Sequence, residues 1–467
     1  MTTSGLVGTL AAIGVSWILF ALGFYYALWV ASAWAMFSYA RHVMPIPLGI
    51  LRGSPHVPPV SLIVPAHNEE ATIIDTVESL LSLDYPAYEI IVVNDGSADA
   101  TLSALIARFA LQPIDRRAVA TALAVASVRG TYVSTITGVP VVVVDTANGG
   151  KARALNAGIM AARYPLVCTI DADSLLAPDA LLRMARVYMA DPARIVAIGG
   201  SVRVGNGCTI RHGRVVTARL PRSLVPAAQA VEYIKTLAGS RVAWAAWNGV
   251  PVVSGAFGLF RRDILMAVGG YRTDMPGEDM ALVFAIHEWC LREGKPYRIA
   301  HCPDALCWTQ APATLRSLGT QRRRWSRGSI STFWLYRHMF GRPGFGSVGA
   351  VLMPSMLVLD LLGPYIIFVG VLLGVYAVVA LHAALLLAIV LGVLVSIEIL
   401  LGWLALLLDD FVLSVYPTSD VIRQLAATIH MTIWYYALTT YWGIAGHIEW
   451  LRGHNSWGTI GRASWKA

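Results

Sequence analysis

Apolar positions are distributed very unevenly along this chain. Residues 6–38 carry no charge, a run longer than the ~20 apolar residues that cross a hydrocarbon core of about 30 Å as a helix. Between Ser347 and Leu408 the only charged or histidine side chains are Asp360, His382 and Glu398. Two further spans are expected there, about 349–380 and about 383–408, turning near His382. Residues 421–450 are again apolar, but rich in Trp, Tyr and His and flanked by Arg423 and Arg452. They read as an interfacial or re-entrant helix, with a fourth span as the rival. From about residue 50 to 340, short apolar runs alternate with helical periodicity, the texture of a globular domain. The pattern predicts a folded domain inserted between membrane segments.

Composition sharpens this. The 467 residues are 56% hydrophobic and 14% charged, with a mean hydropathy of +0.59. Such a chain has too little polar surface to cover a soluble exterior. The first apolar run far exceeds the h-region of a signal peptide and no basic segment precedes it, so a retained anchor is expected. Residues 1–6 lack Lys and Arg, whereas Arg41 and Arg52 follow the run. The central domain is therefore expected on the cytoplasmic side of the cell membrane, in a multi-pass protein. Five cysteines form no CxxC pair, which in a reducing compartment reads as free thiols. Arginines flanking the bilayer account for the net charge of +8, and no nucleic-acid-binding module is recognisable, so no nucleic-acid partner is expected.

The chemistry lies in the central domain. Ser61–Val64 is a short strand ended by Pro65, residues 71–83 are helical in period, and Glu89–Val93 is a second strand stopped by Asn94-Asp95-Gly96-Ser97. Strand, helix and strand in this order predict a parallel α/β sheet, whose ligands bind beyond the carboxyl ends of the strands. Asn68, Glu69 and Asp95 fall there. A third strand, Val141–Val144, leads to Gly149-Gly150-Lys151 at a helix start, a cradle suited to phosphate, although no Walker A sequence is present. A fourth, Leu166–Ile170, ends in Asp171-Ala172-Asp173, two carboxylates able to grip Mg2+ or Mn2+. Ser254-Gly255 follows another strand-like run, and Glu278-Asp279 opens a helix. That acidic pair suits a helix dipole or a general base equally well. In LRSLGTQRRRWSRGSIS, Gln321, Arg324 and Trp325 share one helix face.

In this order, Asp95, Asp171/Asp173, Glu278-Asp279 and Gln321/Arg324/Trp325 resemble the pattern of inverting, membrane-embedded family 2 glycosyltransferases, the group that includes hyaluronan, chitin, poly-N-acetylglucosamine and cellulose synthases. The similarity runs over roughly residues 60–330, and a C-terminal WGTIGR resembles a segment of hyaluronan synthases. It implies a GT-A (nucleotide-diphospho-sugar transferase) fold and a UDP-sugar donor. Ala66, Asn68, Glu69 and Asp95 would contact uridine. Lys151, Arg324 and a metal on Asp171 and Asp173 would hold the diphosphate, with Trp457, Thr459 and Arg462 also near the donor. Asp279, beside Glu278, would be the catalytic base, and Gln321, Trp325, Ser254 and Gly255 would meet the acceptor. The implied activity is processive synthesis of a β-linked polysaccharide and its export; the C-terminal segment leans towards an N-acetylglucosamine-containing product, with glucose left open. Transfer to a lipid acceptor is the alternative.

The expected organisation is a membrane helix in 1–48, the GT-A domain in 49–311, interfacial helices in 312–346, two membrane helices in 347–408, and the interfacial helix with WGTIGR in 409–467. Residues 226–247 also read as a membrane-docking helix, with Trp244 and Trp247 as anchors. Asp360 and Glu398, costly in apolar surroundings, are candidates either for a polymer passage or for contacts between helices. Three spans are few for a closed channel, which calls for oligomerisation or an accessory subunit. Residues 104–140, rich in Ala, Val and Arg, suggest no function.

Overall fold

The computed structural model describes residues 3–114, 122–382, 384–454 and 465. The central domain is built on a ten-stranded mixed sheet. Its strands are β1 (Val60–Ala66), β2 (Tyr88–Asp95), β3 (Leu111–Pro113), β4 (Val128–Ser134), β5 (Val141–Thr146), β6 (Leu166–Ile170), β7 (Ser174–Leu176) and β8 (Ile195–Val204). The chain then makes a separate hairpin, β9 (Thr209–Arg211) and β10 (Arg214–Thr217), before β11 (Phe257–Arg261) and β12 (Arg298–Thr309) rejoin the sheet. The order across the main sheet is β3-β4-β5-β2-β1-β6-β11-β8-β12-β7.

β5, β2, β1 and β6 run parallel. Their continuous apolar sequences reflect burial on both faces. Alternate residues divide cleanly between two cores: Leu62, Val64, Ile90 and Val92 pack on one side, Ile63, Ile91, Val93 and Val142 on the other. From β1 the chain winds outward through β2 to β5, then returns to place β6 on the opposite side of β1. The crevice at that reversal is where open α/β sheets bind ligands. Residues 104–140 include the end of one helix, the edge strand β3 and its neighbour β4.

Among the described residues, three helices are long and apolar enough to cross a membrane: Gly8–His42, Val348–Ala380 and Ala384–Leu413. Residues Thr418–Leu451 form a single unbroken helix that lies along the QRRRW helix, Leu315–Tyr336. The domain is tied to these helices by buried polar contacts. Tyr39, near the end of the first helix, donates to Asp304 at 2.5 Å, and Arg183 and Arg186 converge on the same carboxylate at 2.6 and 2.5 Å. Arg203 pairs with Asp409 at 2.6 Å.

Trp244 departs from the expected anchoring role: it is buried against Phe24 of the first helix. A face apolar enough to meet lipid is equally able to meet another helix, and here it does. Trp247 is exposed. All five cysteines are free thiols.

Candidate active site

The carboxyl ends of β1, β5 and β6 open into a cavity of about 920 Å³. At one end the loop His67–Glu70 is cross-braced to the loop after β2. Asn68 accepts from the Ala98 N–H at 2.8 Å, Ser97 accepts from the Asn68 N–H at 3.0 Å, and Thr101 accepts from the Glu69 N–H at 2.9 Å. Asn68 and Glu69 line the cavity; Ala66 and Asp95 do not. Asp95, only 3% exposed, accepts from the Gly149 and Gly150 N–H groups at 2.7 and 2.9 Å. Its carboxylate thus shapes the glycine turn ahead of Lys151.

Lys151 begins its helix at the cavity wall and pairs with Asp171. Glu278 lies 3.9 Å from the Lys151 ammonium. Burial works against the Lys151 charge, but Asp171 and Glu278 outweigh it and hold the pKa up at about 12. Glu278 is deeply buried, and burial, partly opposed by Lys151 and reinforced by Asp279, pushes it up to about 7. Asp279 faces the cavity more openly and sits against the Ser254-Gly255 turn, where the Gly255 N–H lies 3.4 Å from its Oδ2. Two adjacent carboxylates are therefore held in different environments, one enclosed beside Lys151 and one at the open wall.

Asp171 and Asp173, two residues apart beyond β6, both line the cavity. Among the described residues no group of three or more His, Cys, Asp or Glu side chains is placed to hold a metal. The aspartate pair is a hard-oxygen set that suits Mn2+ or Mg2+ whose remaining ligands come from phosphate and water.

At the far end the QRRRW helix presents Gln321, Arg324 and Trp325 to the same space. Trp325 tilts against Tyr233 with centroids 6.4 Å apart and lies under the Arg322 guanidinium at 4.3 Å. Arg322 is fixed by a bidentate pair with Glu232 at 2.7 and 2.5 Å and donates to Tyr435. Arg323 pairs with Glu449 at 2.9 Å, and Arg327 donates to the His454 carbonyl. Much of the basic cluster is thus committed inside the protein, unlike a patch laid on lipid headgroups.

The sequence profile described as glycosyltransferase like family 2 matches residues 58–328, more than half of the chain. The chain belongs to this family. It is 30% identical over 280 residues to the poly-beta-1,6-N-acetyl-D-glucosamine synthase of Staphylococcus epidermidis, a match covering 59% of this chain and 56% of that protein. The Staphylococcus aureus (strain COL) synthase of the same name is 31% identical over 270 residues, covering 58% and 54%. The matched stretch spans little more than half the length of these curated relatives. Among solved structures, the mannosyltransferase PcManGT from Pyrobaculum calidifontis, in complex with GDP-Man and Mn2+, superposes with a TM-score of 0.55. It is 21% identical, and the match covers 92% of this chain and 98% of that one. The domain has the GT-A fold.

In the transferase domain, one cavity gathers Asn68, Glu69, Lys151, Asp171, Asp173, Ser254, Gly255, Glu278, Asp279, Gln321, Arg324 and Trp325. Trp457, Thr459 and Arg462 lie outside the described residues. Tyr233, Arg241 and His301 also line the cavity, and sequence reasoning had not marked them. Each is a single residue with no local signature, delivered by a helix or strand remote from the motifs. Glu398 pairs with Lys235 at 2.6 Å, and Lys235 also donates to Tyr436, whereas Asp360 is exposed.

Proposed function

We propose that this transferase is an inverting, processive enzyme that polymerises a β-linked polysaccharide from a UDP-sugar, UDP-N-acetylglucosamine in first place, and passes the product across the cell membrane. The observation that carries this reading is the continuity of one cavity from the His67–Glu70 loop, past Asp279, to the Trp325 platform. Donor and growing chain can then lie end to end with the reacting atoms beside the base. The Staphylococcus relatives named for poly-N-acetylglucosamine synthesis support the sugar.

Uridine would rest against the His67–Glu70 loop, held in shape by Asp95 and the loop after β2. The Lys151 ammonium faces the diphosphate and stabilises charge as it develops on the departing oxygen. A divalent cation on Asp171 and Asp173 would supply further neutralisation of the leaving diphosphate. The acceptor sugar stacks on Trp325, with Gln321 and the Ser254-Gly255 turn at its edge. Asp279 takes the proton of the acceptor hydroxyl as that oxygen attacks the anomeric carbon. The new glycosidic bond forms while the bond to the diphosphate oxygen breaks, UDP leaves with the electron pair, and the anomeric configuration inverts.

In this reading the three apolar helices cross the membrane, the catalytic side is cytoplasmic and the Thr418–Leu451 helix lies at the interface. Three spans enclose little space, so export requires a second copy or an accessory subunit. Radiolabelled UDP-N-acetylglucosamine supplied to purified protein tests the proposal. A size ladder of glycosidase-sensitive product is expected; a single labelled glycolipid band would sink processivity in favour of a lipid acceptor.

A further inference from the structure

The part of the cavity beyond Asp279 contains two polar side chains that the catalytic reading leaves unused. Arg241 ends a π-helical turn, Leu237–Arg241, that interrupts the helices Leu224–Thr236 and Val242–Ala246; such turns occur frequently at functional sites. Its guanidinium donates to the Val252 carbonyl. No carboxylate among the described residues forms an ion pair with it; burial draws its pKa down to about 10, with the charge of Asp279 opposing.

His301 lines the same space from β12. It is only 8% exposed, and its Nε2 has no hydrogen-bond partner. Its other nitrogen faces Gly199, the neighbouring position on β8. With Nδ1 turned toward Gly199, Nε2 is the ring nitrogen free to meet a ligand, and it is an acceptor in the tautomer that carries the proton on Nδ1. A buried acceptor without a donor costs free energy until a ligand supplies one. Between these two groups the wall is apolar: Val250, Val253 and Ala300, with Gly199 leaving room.

We propose that Arg241 and His301 form a subsite for the 2-acylamino group of the acceptor sugar, the guanidinium donating to the amide carbonyl, Nε2 accepting from the amide N–H, and the valines receiving the acyl methyl. The 2-hydroxyl of glucose offers one oxygen where the amide offers a separate carbonyl and N–H, so it leaves one polar group unmatched and the apolar wall empty. Arg241 meets the loop before β11 at Val252 and Asp279 meets it at Gly255, three residues on and at most about 10 Å along an extended chain. The subsite therefore adjoins the base, where a non-reacting substituent of the attacking sugar lies. The inference rests on the N-acetylglucosamine reading and assigns the residues that would enforce it.

The test is equilibrium binding of the β-linked trisaccharides of N-acetylglucosamine and of glucose to the purified full chain with UDP present, followed by tryptophan fluorescence. The wild type is expected to favour the acetylated sugar by about tenfold or more, the worth of one well-made buried hydrogen bond. Gly199→Ala adds a methyl 3.5 Å from the His301 Nδ1 and 3.8 Å from both Val253 methyls, ordinary contacts that the fold tolerates but that fill the subsite. It and His301→Ala should lose that preference while glucose binding holds, and His301→Gln, which keeps an acceptor oxygen, should regain part of it. Equal affinity of the wild type for both sugars, measurable binding of neither, or equal losses on both in the variants would overturn the assignment. Product size on UDP-N-acetylglucosamine separates this from the parent reading: a single glycolipid with the acetyl preference intact removes the polymerase and keeps the subsite, and a polymer made without that preference does the reverse.

Discussion

The backbones of Gly277 and Gly328 touch. A Cβ on Gly277 would stand 2.8 Å from the Gly328 Cα, and one on Gly328 would stand 3.0 Å from the Gly277 Cα. Gly277, at φ 81°, caps the helix that begins with Glu278 and Asp279, and Gly328 lies one turn beyond Trp325 on the QRRRW helix. Asp279, the proposed base, and Trp325, the proposed platform, are thus set against each other through a contact that only two glycines permit. Gly328→Ala improves helix propensity by up to about 1 kcal/mol yet forces the acidic helix away. Displacement of a base by about 1 Å costs roughly 10²-fold in rate. The expected result is a kcat lower by about that factor with UDP binding unchanged, read from steady-state kinetics and a UDP titration on the same preparation.

Asp279→Asn keeps the shape of the side chain and removes its basicity. Loss of a positioned base costs roughly 10²–10⁴-fold, so turnover should fall to near background while UDP still binds. Full residual activity would remove Asp279 from the role of base and direct attention to Glu278.

Asp173→Asn tests the other carboxylate station. If the pair beyond β6 holds a divalent cation against the diphosphate, chelation should abolish transfer in the wild type and Mn2+ or Mg2+ should restore it. The variant should need at least about tenfold more metal for half-maximal rate, the effect of weakening one ligand by roughly 1.4 kcal/mol. A wild-type rate indifferent to chelator would exclude this arrangement.

The parts of this site that sequence revealed are those written in local patterns. Strand–turn sequences put Asn68, Glu69, Asp171 and Asp173 just past strand ends and Lys151 at a helix start, because short apolar runs and turn chemistry act over a few residues. The helix register likewise placed Gln321, Arg324 and Trp325 on one face. What escaped depends on tertiary meeting. Glu232 is 90 residues from Arg322, so no local pattern shows that the basic run is in part internally paired. Arg241 and His301 come from a π turn and a buried strand, with nothing around either to mark it. Trp244 shows the ambiguity of apolar faces, since pattern gives the face but not whether lipid or protein covers it. The bonds that Asp95 accepts from Gly149 and Gly150 join residues 54 and 55 positions apart, which no local pattern shows.

The Arg322–Glu232 pair offers a stability test at the platform. Both side chains are mostly enclosed, at 10% and 22% exposure, and Arg322 also supports the Trp325 ring. Removing one member of such a pair strands the other charge, at a cost of about 3–5 kcal/mol for fully buried pairs; partial exposure brings the expectation here to the lower end. Arg322→Ala should lower the Tm in detergent and raise the KM for acceptor. The double variant with Glu232→Ala should be less destabilised than the sum of the two single changes. Strict additivity would show that the pair contributes nothing beyond each residue alone.

Glu278 predicts a pH dependence with a definite sign. Burial raises it from 4.5 to about 7, against the pull of Lys151. Below pH 4.5 the folded and unfolded states both carry the proton, and the native state bears no penalty for this group. Between 4.5 and about 7 the unfolded state releases the proton while the folded state retains it, so this group's contribution to stability falls as pH rises. Above about 7 both states are ionised and the contribution levels off. Lys151, held up at about 12, stays charged throughout and adds no slope of its own. In Glu278→Gln the fall should vanish. The Tm difference, variant minus wild type, should therefore climb between pH 4.5 and 7 and then plateau. A difference that is constant across that window would mean that Glu278 ionises in the folded protein as it does in the unfolded chain.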